Sequence, residues 1–513
     1  MTGAPPSNKS VGPLVTGHRL DTLPDDVLII ILRDLGLAEL VNLRRVNRDI
    51  LNRIDHLGIP LYLAAHRLSH LTLSPLPTQW LPYNLAKYNH QISTRLTSRQ
   101  WHALQIGRTW SQSVIPTLYL DAEQSRLVLA VGEDVVIHPL YRPHHGMGGK
   151  VAGQGRGYPI RSAEAGSKSD VVSIVDLKDG QGSLAIAQFD GTIRRFSFPD
   201  DPHSPPKVTA HYPHSSTRST RVRKVVGSEE GEMMMSTSWD GQVSFLHTRS
   251  PWVQPTTINV EGKVAWSSLL TTSHPSLPPT AMLGTKTAVS CHAILPSGPA
   301  ETPARLLRGP DLPHTTSPYD IQLPPPASSH NPNILLSAWY DSHLRLHDLR
   351  SPSGSPVMTF QDPFTWADSS AFYSCCFTGE NWLAGGGARH GTVAFFDIRN
   401  STRGWSCFSP GGKGSPVYSL QGEGGKVWGV TEKRAFVLAY DGSGDIPEGL
   451  VANEARAVPQ NQRDRGRYAP NGYRGRGGKW NWTVRYDADE GNKAVGYEHT
   501  DREIKMFDSL VAR

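Results

Sequence analysis

Four segments of the 513-residue chain share one frame, and that recurrence limits the fold more than any other feature. Gln188-Phe189-Asp190-Gly191-Thr192-Ile193-Arg194-Arg195-Phe196 and Ser238-Trp239-Asp240-Gly241-Gln242-Val243-Ser244-Phe245 lie 50 residues apart, each setting Asp-Gly between alternating apolar runs. Asp-Gly in that setting predicts a type I′ β-hairpin. The frame returns at Trp339-Tyr340-Asp341-Ser342-His343-Leu344-Arg345-Leu346-His347-Asp348-Leu349-Arg350 and at Arg389-His390-Gly391-Thr392-Val393-Ala394-Phe395-Phe396-Asp397-Ile398-Arg399. Weaker copies turn near Glu133-Asp134, Thr285-Lys286, Glu432-Lys433 and Asp501-Arg502. A recurrence of this length predicts repeated units of short strands. The 48 glycines and 40 prolines agree, because helices tolerate far fewer breaks.

These repeats resemble the WD-repeat family, whose units are four-stranded blades closed into a ring that removes exposed sheet edges. His347-Asp348-Leu349-Arg350 and Phe396-Asp397-Ile398-Arg399 stand where that family has its Trp-Asp dipeptide, while its Gly-His dipeptide is largely missing. The resemblance implies a mainly β fold, a WD-repeat-like β-propeller of seven blades with an accessory strand pair, or of eight. Asp190, Asp240 and Asp341 occupy the same turn of successive repeats, so they are read as structural carboxylates accepting backbone N–H bonds rather than as catalytic acids.

Ahead of the repeats the pattern is helical. Leu23, Val27, Leu28, Ile31, Leu32 and Leu35 follow the spacing of one helix face, with Pro24, Asp25 and Asp26 suited to the first turn and Gly36 to a left-handed cap. A second helix is expected from Glu39 to about Ile54. Leu23-Pro24-Asp25-Asp26-Val27-Leu28, then Ile31-Leu32, Leu35, Leu40, Leu43 and Val46-Asn47-Arg48, resemble the F-box, the trihelical module of SCF ubiquitin ligases. Asn47 and Ile50 stand where that family most often has Cys and Trp. The resemblance implies that Leu23, Pro24, Val27, Leu28, Ile31, Leu32 and Val46 form or support a docking surface for a Skp-type linker, and through it a cullin and RING core. Together the two modules resemble the F-box/WD-repeat adaptor family, with Tyr340 to Arg350 resembling its dactylin-like branch.

The organisation expected is a disordered N-terminus over 1–17, the F-box over 18–56, a helical or irregular linker over 57–114, and the propeller over 115–510. An Arg-Gly-rich insertion is expected at about 455–479. Net charge is +6, and Arg463 to Lys479 carries most of it, with six basic residues against Asp464 alone. Interleaved with Tyr468 and Tyr473, that stretch resembles RNA-binding segments, although a solvated insertion explains the same composition. RNA is therefore the alternative partner, with a protein to be ubiquitinated the first.

Catalytic and metal signals are weak. Gly148-Gly149-Lys150-Val151 lacks the spacing of a phosphate loop, Gly385-Gly386-Gly387 reads as a tight strand connection, and the 21 histidines contain no H-E-x-x-H. No cofactor and no metal are expected, and the substrate-binding residues are not identified by sequence. Cys291, Cys375, Cys376 and Cys407 form no C-x-x-C pair, and no run of 18 apolar residues occurs. Together with the absence of an apolar run over Met1 to Val15, those features predict a protein that is neither secreted nor membrane-spanning and belongs to cytosol or nucleus. The function expected is a non-catalytic substrate-recognition subunit of an SCF-type ligase; the alternative is a WD-repeat scaffold associated with RNA.

Overall fold

The computed structural model describes residues 20–65 and 81–441, apart from 112, 122–123, 142–149, 152–154, 162–168, 200–203, 214–220, 261–263, 310–315, 326–329, 364, 366–368 and 411–414, together with 473–474, 480–481, 495–499 and 506–508. The expected disordered stretch over 1–17, most of the glycine-rich loop from Gly146, most of the Arg-Gly segment and the turn at Asp501-Arg502 lie outside the described residues. The chain divides into two compact units.

The first unit is helical. Helices α1 (Asp25–Arg33), α2 (Leu37–Leu43), α3 (Arg48–Arg53) and α4 (Ile59–Ala65) are joined through a π-helical turn over Ile54–Gly58. Leu28, Leu32, Leu40, Ile50, Ile54, Ile59 and Ala86 form its core. The helix expected over 39–54 is in fact broken at Arg44–Asn47. Asn47 is the reason, because its extended backbone interrupts the helix and its side chain accepts the Ile50 N–H at 2.8 Å, capping α3. Gly36 also differs from expectation. It is extended at φ −76° and opens α2 instead of ending α1 with a left-handed cap, since Leu35 N–H to Leu32 O already closes that turn.

The second unit is a seven-bladed β-propeller. Its innermost strands, Thr117–Asp121, Val171–Asp176, Val222–Gly227, Ser267–Thr271, Pro318–Gln322, Phe372–Thr378 and Val417–Glu423, each contact the next, and the seventh contacts the first. Each heads an antiparallel sheet of at least four strands. The core is spread between blades, so that Leu336, Leu344 and Leu346 of blade five meet Phe372, Leu383 and Phe396 of blade six in one apolar cluster. Residues just inside the inner strands sew neighbours together: Ser267 Oγ donates to Pro318 O at 2.8 Å, Ser374 Oγ to Val417 O at 2.9 Å, and Cys375 N–H to Asp320.

Three strands settle the blade count. His102–Ile106, inside the segment read as linker, is the outermost strand of blade seven, with His102 opposite Ala439 and Ile106 opposite Ala435. Val495–Glu498 and Met506–Asp508 extend the sheet of blade six instead of founding an eighth blade. Gly385–Gly387 lie within a strand, not in a connection; a Cβ on Gly385 would meet Phe372 at 2.9 Å and one on Gly386 would meet Val417 at 2.7 Å. Helix α5 spans Pro82–Ser98. Within the propeller unit its Tyr88 hydroxyl accepts the Gly425 N–H at 3.1 Å, and Leu96 reaches toward Gly379.

Candidate functional site

The helical unit presents one surface of interest. Residues three and four apart share a helix face, so Val27, Ile30 and Ile31 point one way from α1 while Leu28 and Leu32 point another. Leu28 and Leu32 are at most 2% exposed and belong to the core. Val27, Ile30, Ile31 and Val46 are between 38% and 62% exposed, Pro24 is exposed and Leu23 half-buried. A helix apolar on two faces has one more than its own core can cover. Leu28 and Leu32 thus belong to the core, and Val27 and Ile31, with Ile30, lie at the surface. Ile30, three residues after Val27 on the exposed face, was missed because the buried stripe runs only one residue out of phase with it.

Two arginines tie the elements of this unit together. Asp55 accepts two hydrogen bonds from Arg44, at 2.6 and 3.0 Å, and those bonds, against some cost of burial, raise the guanidinium pKa. Arg44 also stacks on Tyr83 at 3.9 Å. Arg53 donates to the Leu23 carbonyl at 2.7 Å and pairs with Asp25 at 3.0 Å, tying the entry of α1 to the end of α3.

The propeller carries a second surface at the end formed by the repeated hairpins. Those hairpins are not two-residue type I′ turns. Gln188 O accepts from Gly191 N–H at 3.1 Å, Ser238 O from Gly241 N–H and Trp339 O from Ser342 N–H, and the third loop residue alone is left-handed, at φ 101°, 90° and 69°. This is the three-residue loop with a bulge, in which only the last position needs positive φ. Asp190 and Asp240 accept the N–H bonds of Thr192 at 2.9 Å and Gln242 at 3.2 Å. Asp341 instead takes a bidentate pair from Arg345, at 2.9 and 2.7 Å. Burial alone would raise its carboxyl, but hydrogen bonds from His343 and Arg345 outweigh this and hold its pKa at about 2.

Inner strands of blades three, five, six and seven each carry a register shift that leaves one residue out of the ladder: Arg223, Tyr319, Tyr373 and Tyr418. A bulge turns such a side chain out of the sheet. With Trp266 ahead of blade four and Trp239 and Tyr340 on hairpin loops, these residues form a continuous crescent. Ring centroids are 5.1 Å apart for Trp266 and Tyr319, 5.6 Å for Tyr319 and Tyr340, 5.0 Å for Tyr319 and Tyr373, and 6.0 Å for Tyr373 and Tyr418. Arg223 sits 4.4 and 4.2 Å from the centroids of Trp239 and Trp266, in the angle between these two rings, which meet edge to face at 6.5 Å, and Arg221 lies over Phe189 at 5.0 Å. Such aromatic pairs contribute about 0.5–1.5 kcal/mol each beyond their burial. Burial pushes the Tyr319, Tyr373 and Tyr418 hydroxyls up, helped by phenolic neighbours and, for Tyr418, first by Glu432, and pulls Arg223 down to about 10.

Trp239 and Tyr340 are 46% and 48% exposed, so the crescent is a surface and not a core. Sequence reading passed over it, although a signal is present. Pro318-Tyr319-Asp320, Phe372-Tyr373-Ser374 and Val417-Tyr418-Ser419 are one motif, apolar then Tyr then polar, visible once the inner strands are aligned as the hairpins were.

One cluster resembles a hydrolytic triad in composition only. Ser406 Oγ donates to Asp362 at 2.7 Å and lies 2.8 Å from His499 Nε2, but the serine is fully buried and its proton is already given to the carboxylate. It anchors the accessory strand against Gly404, whose carbonyl accepts the His499 N–H at 2.9 Å. Among the described residues no group of three His, Cys, Asp or Glu side chains is placed to hold a metal ion, and no helix is long and apolar enough to cross a membrane.

Residues 20–61 match the F-box domain family. No curated protein matches the chain. Among solved structures, the β-propeller domain of Cps50 (Swd1) from Myceliophteria thermophila is similar, at 11% identity and a TM-score of 0.46, over 66% of this chain and 99% of that one. An F-box domain joined to a propeller supports a protein-interaction adaptor, since F-box domains generally bind Skp-type linkers and propellers bind protein targets. The chain thus carries an F-box domain followed by a seven-bladed β-propeller, the arrangement consistent with an F-box/WD-repeat protein.

Proposed function

We propose that the chain is the substrate-recognition subunit of an SCF-type ubiquitin ligase, with its helical unit on the Skp-type linker and its propeller on the protein to be ubiquitinated. The observation that carries this reading is the exposed apolar face of α1, Val27, Ile30 and Ile31, on a module that matches the F-box. No catalytic residue of its own is required. Binding both partners at once converts ubiquitin transfer into a reaction between groups held at high effective concentration. Its place of action is the cytosol or nucleus, where linker and cullin would be met.

The test is capture of purified Skp-type linker by the full chain and by Val27→Asp/Ile30→Asp. Burying two apolar side chains is worth about 1.5–3 kcal/mol each, and a charge in their place adds a desolvation penalty. The double variant is expected to bind at least about 100-fold more weakly, with unchanged circular dichroism. Leu28→Asp would not discriminate, because it charges the core. A folded wild-type chain that does not bind the linker, or a variant that binds equally well, would sink the reading.

A further inference from the structure

The clamp on Arg223 differs from the rest of the crescent. Its Nη1 is buried and has no hydrogen-bond partner among the described residues, while the residue as a whole is only half-buried. Trp239 and Trp266, set edge to face, flank the guanidinium on two sides without supplying an acceptor. A cation partly stripped of water, with a donor unsatisfied, is stabilised by an incoming anion.

The neighbouring carboxylates cannot serve. Asp240 is engaged by the Ser238 hydroxyl and the Gln242 N–H, Asp341 by Arg345 and His343, and Asp320 by Lys224 at 3.3 Å and the Cys375 N–H at 3.1 Å. Arg221 and Arg389 are exposed and add positive charge, and Glu133, Asp170, Asp190 and Glu432 are acids at the same end. What Arg223 offers a ligand is therefore one local cation with an unsatisfied donor, set among aromatic rings.

The form of the anion follows from how the cations are spread. A phosphate dianion is best met by several converging cations, whereas Arg221 lies over Phe189 and Arg389 belongs to blade six, three blades from Arg223. A single planar fork in the angle between two rings matches one planar carboxylate. Trp239 and Tyr340 beside it suit an apolar or aromatic side chain.

We infer that this end of the propeller recognises an unmodified acidic peptide, with an Asp or Glu carboxylate on Arg223 and an apolar or aromatic neighbour on Trp239 and Tyr340. The inference rests on reading the propeller as the protein-binding unit and deepens it by naming the ligand and the residue that selects it.

The test is selection of a phage-displayed random-peptide library on the immobilised full chain, as wild type, Arg223→Gln and, to keep the charge while removing the fork, Arg223→Lys. Trp239→Ala serves as a second probe at an exposed position, with folding checked by circular dichroism. Wild type is expected to enrich peptides with Asp or Glu beside Phe, Trp or Leu. Arg223→Gln is expected to lose the acid preference, and a resynthesised wild-type binder to weaken at least tenfold on Arg223→Gln and on Trp239→Ala. No enrichment by the wild type, an acid preference unchanged in Arg223→Gln, or a binder at least tenfold tighter with phosphoserine in place of the acid would each overturn the inference. So would single-stranded RNA of mixed sequence displacing the peptide from the wild-type chain at lower concentration than the peptide itself. Linker capture, read separately on the same preparations, distinguishes this failure from failure of the ligase reading.

Discussion

Acid should loosen the propeller well before its carboxylates protonate. His138, His330 and His347 are buried in blades one and five, and burial lowers each imidazole from 6.5 to about 4. Arg345 and Arg305 push His347 the same way. Between pH 6.5 and 4 the unfolded chain binds three protons that the folded chain refuses, so lowering pH favours unfolding. The stability is fully present above 6.5 and is lost as pH falls toward 4. From pH 7 to pH 5 each histidine is worth about 2 kcal/mol, and the three together about 5 kcal/mol. That is a large share of the roughly 5–15 kcal/mol that holds a domain folded. Asp341, held at about 2, adds nothing in this window because its contribution is lost only below about 4. Urea unfolding of the full chain at pH 7 and pH 5 measures the loss, and single variants His138→Gln, His330→Gln and His347→Gln should each shrink it by about 2 kcal/mol whatever they do at pH 7. Variants that lose as much stability as the wild type on acidification, or folded-state imidazole titrations near 6.5, would refute the reasoning.

Lys426 and Asp441 form a buried ion pair in blade seven, so Lys426→Met should cost about 3–5 kcal/mol by taking the countercharge from a buried carboxylate, and Lys426→Met/Asp441→Leu should recover most of it. A urea midpoint unchanged by the single substitution would contradict this. Asn47→Ala removes the α3 cap and should cost the helical unit about 1 kcal/mol, read as faster amide exchange over 48–53 with the propeller unaffected.

Local chemistry made the hairpins legible. A tight loop needs a residue that tolerates positive φ, and Asp-Gly announces one wherever it falls, although the exact loop form depends on which of the three positions turns left-handed. The helix break at Asn47 was also local, yet the apolar periodicity running through it masked a capping residue. What could not be read was pairing across great distance. His102–Ile106 looks like any short alternating run, and only its partner at 435–439 makes it a blade strand. The crescent was hidden for a related reason: Tyr319, Tyr373 and Tyr418 are scattered along the sequence, and the ring of blades brings them together.

The strand at His102–Ile106 also sets a schedule for synthesis. Its partner over Arg434–Ala439 leaves the ribosome roughly 330 residues later, about 15 to 70 s at ordinary elongation rates. Throughout that interval six blades can form in order while the first-made strand stays without its neighbour, its amides open to any other edge. Nascent chains would need shielding at this one segment, and mutations that slow translation beyond blade six would lengthen its exposure.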